Sequence, residues 1–365
     1  MNPERELTSQ AERQLRELLA PLPLVLEHAV AEQSGVDLTL NLREGDRRWT
    51  LVCEVKSNGE PRHIRSAAFQ AREMAQRMSA SGPAYPVVVA PFISEASGAI
   101  CRELGVGYAD LAGNCRLAFG AVYIEKNVAK NPFHVKREQR SLFAPKSARV
   151  LRIMLGAPSR EWKVAELAEH AGVSYGQVSK LRQALLDREW ASGRWGGMRL
   201  AQAQALLEAW KQAYVPLRKA RNRYYTLLHG EELQRALREV FLSLGKDGAA
   251  PSASGGHALL GSFSAARWLA PYARVAGEYF YADSEGEARL KAMLALEPAA
   301  KGENITIDLA SDEGVFQEAI EPAPGFHCTG LIQTYLDLAA AGERGSEAAQ
   351  HLFDERIAPL WKATP

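Results

Sequence analysis

EWKVAELAEHAGVSYGQVSKLRQALLDREW, residues 161–190, is the stretch whose pattern is least ambiguous in this chain. Val164, Leu167 and Ala168 recur at helical spacing, so the first part buries one face of a short helix. AGVS then makes a tight turn, in which Gly172 can take a positive φ at little steric cost. Ser174 is placed to cap a second helix, its hydroxyl accepting from a free backbone N–H. In that helix Val178, Leu181 and Leu185 form an inward stripe. Tyr175, Gly176, Ser179, Lys180 and Gln183 then face outward, with Gln177 and Arg182 on the flanks. Upstream, PKSARVLRIMLGAP (145–158) places Val150, Leu151, Met154 and Leu155 on one face of a further helix, with Pro145 near its start. Downstream, ASGRWGGMRL (191–200) has strand-like ends around Gly196-Gly197, a hairpin signal, and carries Arg194 and Arg199.

A helix with one apolar docking face and one narrow polar face suits the major groove of DNA. The segment 141–200 resembles the winged helix-turn-helix of bacterial transcriptional regulators. On that reading Ser174, Tyr175, Gln177, Ser179, Lys180, Arg182, Arg194 and Arg199 are the DNA-binding residues. Gln177 is suited to a base edge, and Lys180 and Arg182 to phosphates. The charge distribution agrees. Residues 133–225 hold 18 Lys/Arg against 7 Asp/Glu, although the whole chain has a net charge of only +1. A three-helix core used for protein contact is the alternative, and the local positive charge disfavours it.

A chain of 365 residues with 47% hydrophobic and 24% charged content has material for two or three packed domains and no mark of disorder. Its first residues, MNPERELTSQAERQ, are polar and of both charge signs, unlike a signal peptide. No apolar run approaches the ~20 residues that span a bilayer. Cys53, Cys101, Cys115 and Cys328 are widely spaced, form no CxxC pair, and read as reduced, buried thiols. The expected location is cytoplasmic, with no membrane contact.

Toward the N-terminus, a helical pattern (Glu6–Ala20, with Leu15, Leu18 and Leu19 on one stripe) precedes two alternating segments, VDLTLNL (36–42) and RWTLVCEVK (48–56). In the first, Val36, Leu38, Leu40 and Leu42 are expected on one face and Asp37 on the other. In the second, Glu54 and Lys56 point the same way. If the strands pair, Asp37, Glu54 and Lys56 converge, and Gln70 on the following helix can reach them. Two carboxylates can hold Mg²⁺ or Mn²⁺, and an ammonium beside them can orient water or steady a phosphate. Asp37 and Glu54 would be the metal ligands. The order helix, Asp strand, E-V-K strand, helix with Gln, strand resembles the PD-(D/E)xK nuclease fold, although Val stands where that motif has Pro. Asp110 in GYADLAGN is a further acidic candidate, read preferentially as a turn residue.

The chain as a whole resembles the AbiEi family of antitoxin-type transcriptional regulators from bacterial type IV toxin–antitoxin systems. The resemblance rests on GVGYADLAGNCRLAFGAVYIEK (105–126), on ALLDREW (184–190), on HALLGSFSAARWLAPY (257–272) and on LIQTYLDLAAAGERGSEAAQHL (331–352). It implies binding to the chain's own promoter and opposition to a nucleotidyltransferase-like toxin. The long N-terminal block departs from the simplest form of that family. The Gly261-Ser262 pair before a helix could cradle a phosphate, but a tight turn into a packed helix is the preferred reading.

The expected architecture is therefore α/β and multidomain. It comprises a restriction-endonuclease-like α/β domain (1–132), a basic linker, a winged helix-turn-helix (141–200) and an α/β C-terminal domain (215–365) whose role the sequence leaves open. The expected function is a double-stranded-DNA-binding, antitoxin-like regulator, with a Mg²⁺-dependent endonuclease as the alternative. DNA binding itself calls for no cofactor. Expected partners are duplex DNA, a nucleotidyltransferase-like toxin and a second copy of the chain.

Overall fold

The structure is a computed structural model, and it describes residues 3–33, 35–127, 142–194, 196–244, 256–272 and 277–363. The chain resolves into two compact units: Met1–Glu138 together with Leu185–Glu189, and Gln139–Ala184 together with Trp190–Pro365. Apart from Leu185–Glu189, the segments 141–200 and 215–365 thus share one unit. The basic linker read in NPFHVKREQR lies outside the described residues.

The first unit begins with α1 (Pro3–Leu19). A hairpin ladder follows: β1 (Val25–Gln33), β2 (Val36–Glu44) and β3 (Arg47–Val55). Helix α2 (Pro61–Met78) starts with Pro61, whose missing N–H costs nothing in a first helical turn. Then come β4 (Ala84–Ala90), α3 (Glu95–Glu103), β5 (Gly107–Asp110), β6 (Cys115–Phe119) and β7 (Val122–Lys126). The strands form one sheet in sequential order, parallel at β3–β4 and β4–β5 and antiparallel elsewhere. The two parallel steps follow from the helices between those strands, since a parallel return needs a crossover. Leu15, Leu18 and Leu19 of α1 pack on one face with Leu38, Leu40, Leu42, Leu51 and Leu117. Ile64, Ala67 and Ala68 of α2 pack on the other with Val88, Val106 and Tyr108.

Two expectations need adjustment. Val36 does not share the environment of Leu38, Leu40 and Leu42; it packs with Val52 and Ala75, beside α2. Strand β1, ahead of the two alternating segments, is additional to the sequence reading. Asp110, expected in a turn, is instead the last residue of β5, and its carboxylate is fully used by the turn that follows. It accepts from the backbone N–H groups of Ile93, Ala112 and Asn114 and from the Asn114 amide, all at 2.7–2.9 Å.

The second unit opens with α4 (Pro145–Gly156), β8 (Trp162–Lys163), α5 (Val164–Ala171), α6 (Tyr175–Asp187), β9 (Ala191–Ser192) and β10 (Gly197–Leu200). The three short strands pair in the order β8-β10-β9. After α7 (Ala203–Ala213) come β11 (Arg218–Tyr225), α8 (Gly230–Ser243), β12 (Ala258–Leu260), α9 (Ser262–Leu269), β13 (Glu278–Ala282), α10 (Ser284–Met293), β14 (Glu297–Pro298) and β15 (Ile305–Ala310). The chain ends in β16 (Ile320–Ala323), β17 (Phe326–Cys328), α11 (Leu331–Ala339), α12 (Glu343–Leu352) and α13 (Ala358–Ala363). The larger sheet runs β14-β11-β15-β13-β12-β17-β16 and is mixed.

Helix α4 is bound into this unit by polar as well as apolar contacts. Arg149 holds Asp312 through two hydrogen bonds of 2.7 and 2.9 Å. Arg152, whose side chain is 1% exposed, donates to the Gly314 carbonyl at 2.8 Å and to Gln333 Oε1 at 3.2 Å. Trp361 Nε1 donates to the Leu155 carbonyl at 2.7 Å. A buried guanidinium persists only where its donors are met, so these partners fix the seat of α4. All four cysteines are free and buried.

Candidate functional site

The geometry of α5 and α6 follows from their apolar spacing. Val164, Leu167, Ala168 and Ala171 bury α5, and Val178, Leu181 and Leu185 bury α6. Gly172 ends α5 in the left-handed conformation, at φ 61°, ψ 40°. Its N–H and that of Val173 close onto Glu169 and Ala168, which satisfies carbonyls that a helix end otherwise leaves free.

Ser174 caps α6 as the sequence indicates, and Gln177 completes the cap. The Gln177 N–H donates to Ser174 Oγ at 3.3 Å, while Gln177 Oε1 accepts from the Ser174 N–H and hydroxyl at 3.2 Å each. This reciprocal box engages the amide oxygen of Gln177. A bidentate contact to adenine needs both that oxygen and the amide nitrogen. Gln177 must therefore leave the cap before it can read a base in that way.

Tyr175, Ser179 and Lys180 lie exposed along α6, Tyr175 by 60%. Arg182 is half-buried, and its Nε donates to the Gly197 carbonyl at 3.3 Å, tying α6 to β10. Arg194 and Arg199 are exposed on the hairpin. Gly193 is required where the hairpin strands meet, because a Cβ there would come within 2.3 Å of the Gly197 carbonyl oxygen. Among the described residues Lys180, Arg194 and Arg199 make no ion pair with an acid. Their charges are left to solvent or to an anionic partner.

The acidic group of the first unit also assembles. Antiparallel pairing of β2 with β3 ends at Leu38 opposite Cys53, and just beyond that pair Asp37 and Glu54 come together. Lys56 Nζ lies 2.7 Å from Glu54 Oε2 and 3.7 Å from Asp37 Oδ2. Asp37 Oδ2 also accepts from the Val55 N–H at 2.8 Å. Glu54 is only 5% exposed. Burial raises its carboxyl above the ordinary value; Lys56 opposes that rise, and Asp37 adds to it. Gln70 is exposed on α2 and hydrogen-bonds to none of the three. Among the described residues no group of three or more His, Cys, Asp or Glu is placed to hold a metal. The donors therefore fit a divalent cation only as a two-carboxylate site completed by water or phosphate, a coordination that Mg²⁺ accepts.

In the C-terminal domain (215–365) the sequence reading preferred a tight turn to a phosphate cradle at Gly261-Ser262 and left the role of the domain open. The structure places there a cavity of about 240 Å³, with Arg218, Arg221, Asp308 and Asp337 in its wall. The density of basic residues in LRKARNRYY was the available signal, but its strand character was not read.

Residues 199–358 match the family described as "Transcriptional regulator, AbiEi antitoxin, Type IV TA system". The match runs from within β10 to Ala358, the first residue of α13, and it includes neither α4–α6 nor the first unit. No curated protein and no solved structure shows a significant match to the chain. Among the described residues no helix is long and apolar enough to cross a membrane.

Proposed function

We propose that the chain is a double-stranded-DNA-binding transcriptional regulator of the antitoxin type, and that residues 142–200 form the winged helix-turn-helix that grips the duplex. The observation that carries this reading is the set of exposed cations without acidic partners, Lys180 on α6 and Arg194 and Arg199 on the hairpin. Arg182 holds these two elements together. The similarity of residues 199–358 to AbiEi-type antitoxin regulators supports the regulatory role. By that similarity the protein partner would be a nucleotidyltransferase-like toxin, and a second copy of the chain would complete a two-fold operator complex.

The test is duplex binding by the full chain across a salt series. Replacing Lys180 and Arg194 together by alanine is expected to weaken binding and to reduce the dependence of log K on log salt by about one to two units. Unchanged affinity and slope would remove these residues from the interface.

A second reading, a Mg²⁺-dependent endonuclease, rests on the convergence of Asp37, Glu54 and Lys56. There Asp37 and Glu54 would hold the ion, which would supply positive charge to a scissile phosphate. Lys56 would steady the same phosphate. The geometry favours a structural pairing instead, because Lys56 donates directly to Glu54 and the Val55 N–H to Asp37.

A further inference from the structure

The cavity of about 240 Å³ in the second unit lies where the starts of β11 and α9 approach the end of α11. A dry cavity of about 150 Å³ already holds a benzene ring, and drug-sized ligands occupy about 300 Å³ or more. The space therefore suits a single ring carrying a few further atoms.

The sheet builds one side of it. Arg221, Asp308 and Tyr281 stand opposite one another across β11, β15 and β13, and Thr306 and Tyr279 occupy a neighbouring row on the same face. Phe263 of α9 meets Tyr279, their ring centroids 5.8 Å apart, so aromatic surface lines the space. Two guanidinium groups and two carboxylates share the wall, which leaves it without net charge. Selection then rests on which polar groups are met. Arg221 is met, by a two-bond pair with Asp308 at 2.7 Å each. Arg218 is not: it comes only to 3.5 Å from Asp308, and among the described residues its side chain donates no hydrogen bond.

Asp337 shows the complementary lack. It is 8% exposed, and three donors converge on its Oδ1: the Tyr214 and Tyr281 hydroxyls at 2.5 and 2.9 Å and the Gln333 amide at 3.2 Å. Gln333 is itself held by Arg152 at 3.2 Å, so the carboxylate is fixed in place. Among the described residues its Oδ2 is buried and has no partner. A buried charged acceptor left unmet is costly, and a ligand that brings a donor to it recovers that cost.

An unmet acceptor, an uncommitted guanidinium, a wall of zero net charge and an aromatic lining together match a zwitterion. We propose that this cavity binds a free α-amino acid with an aromatic side chain, its ammonium on Asp337, its carboxylate on Arg218 and its ring against Phe263 and Tyr279. An anion alone would leave Asp337 unmet, and a cation alone would face Arg218. The site is independent of the DNA-binding reading.

Titration calorimetry on the full chain with L-phenylalanine, phenethylamine and 3-phenylpropionate tests this, since the three share a ring and differ in their charged groups. L-phenylalanine is expected to bind, and each analogue about tenfold more weakly or less. Arg218→Gln leaves the Arg221–Asp308 pair in place and should weaken L-phenylalanine about tenfold without affecting phenethylamine. Asp337→Asn keeps an acceptor for the Oδ1 donors and should weaken L-phenylalanine without affecting 3-phenylpropionate. Arg235→Gln, exposed on α8 and outside the wall, should change nothing. No binding of L-phenylalanine at millimolar concentration, equal binding of either analogue, or indifference to Arg218→Gln or to Asp337→Asn would each overturn the proposal.

Discussion

At the scale of single residues, two side chains separate structural from functional roles. Gln177 closes the cap of α6, so Gln177→Ala should destabilise the unit by about 1 kcal/mol whatever it does to DNA. Gln177→Glu retains the capping oxygen. If base reading is a second role, the Gln177→Glu protein should melt like wild type but select different operator sequences. Identical selected sequences for both variants and wild type would confine Gln177 to the cap. Glu318 gives a pH signature. Burial raises its carboxyl to about 7 despite the Arg152 guanidinium 3.6 Å away. A carboxyl whose folded value lies above its unfolded value favours the folded state fully below about 4.5, and that contribution is lost as pH rises toward 7. Burial likewise raises Asp337, to about 6, against its three donors. Unfolding followed between pH 4.5 and 7 should therefore show stability falling with pH, and Glu318→Gln should remove up to about 3 kcal/mol of that fall. A variant with the same slope as wild type would show that Glu318 is not the titrating group.

At the scale of elements, the readable parts were those whose pattern is local. The α5–turn–α6 segment announces itself through 3.6-residue spacing, a glycine that needs φ 61° and a capping serine. The Asp37–Glu54–Lys56 group was legible because a hairpin and a period of two place those residues without long-range information. Strand β1 was not, since its pairing shifts register between Leu26 and His28 and its apolar alternation breaks there. Strand β11 escaped because RKARNRYY has almost no apolar face; it is a strand because β15 pairs with it. The cavity was hidden for the same reason: its wall spans residues 216–341, and only the sheet order brings them together. The seat of α4 is likewise non-local. Arg149→Ala should cost about 3 kcal/mol in urea unfolding, because it leaves Asp312 with its charge largely buried and its guanidinium partner gone. A cost within experimental error would mean that the pair is dispensable.

At the scale of the whole molecule, chemistry and packing divide the chain differently. The excess of basic residues over 133–225 sets off one segment by charge, yet its α4 is packed among groups contributed by residues 312–361. The full chain with Mg²⁺ or Mn²⁺ is expected to cut DNA no better than Glu54→Ala; metal-dependent cutting that vanishes in that variant would make the chain an enzyme. Expressed alone, residues 142–200 should lack the dispersed amide spectrum of a folded protein, whereas 139–365 should unfold as one cooperative transition. A well-dispersed spectrum from the short piece would refute the dependence. The buried Arg152 has one more consequence, for how such proteins diversify. On the proposed reading of residues 142–200 as a DNA-binding head, one whose first helix sends a charged side chain into the body behind it cannot be traded by recombination like a bead on a string. A new operator specificity must instead arise in place, by substitutions on the outer face of α6 and the hairpin, while the inner face stays matched to its own body. Heads grafted between distant relatives should fail unless the partners of Arg152 travel with them.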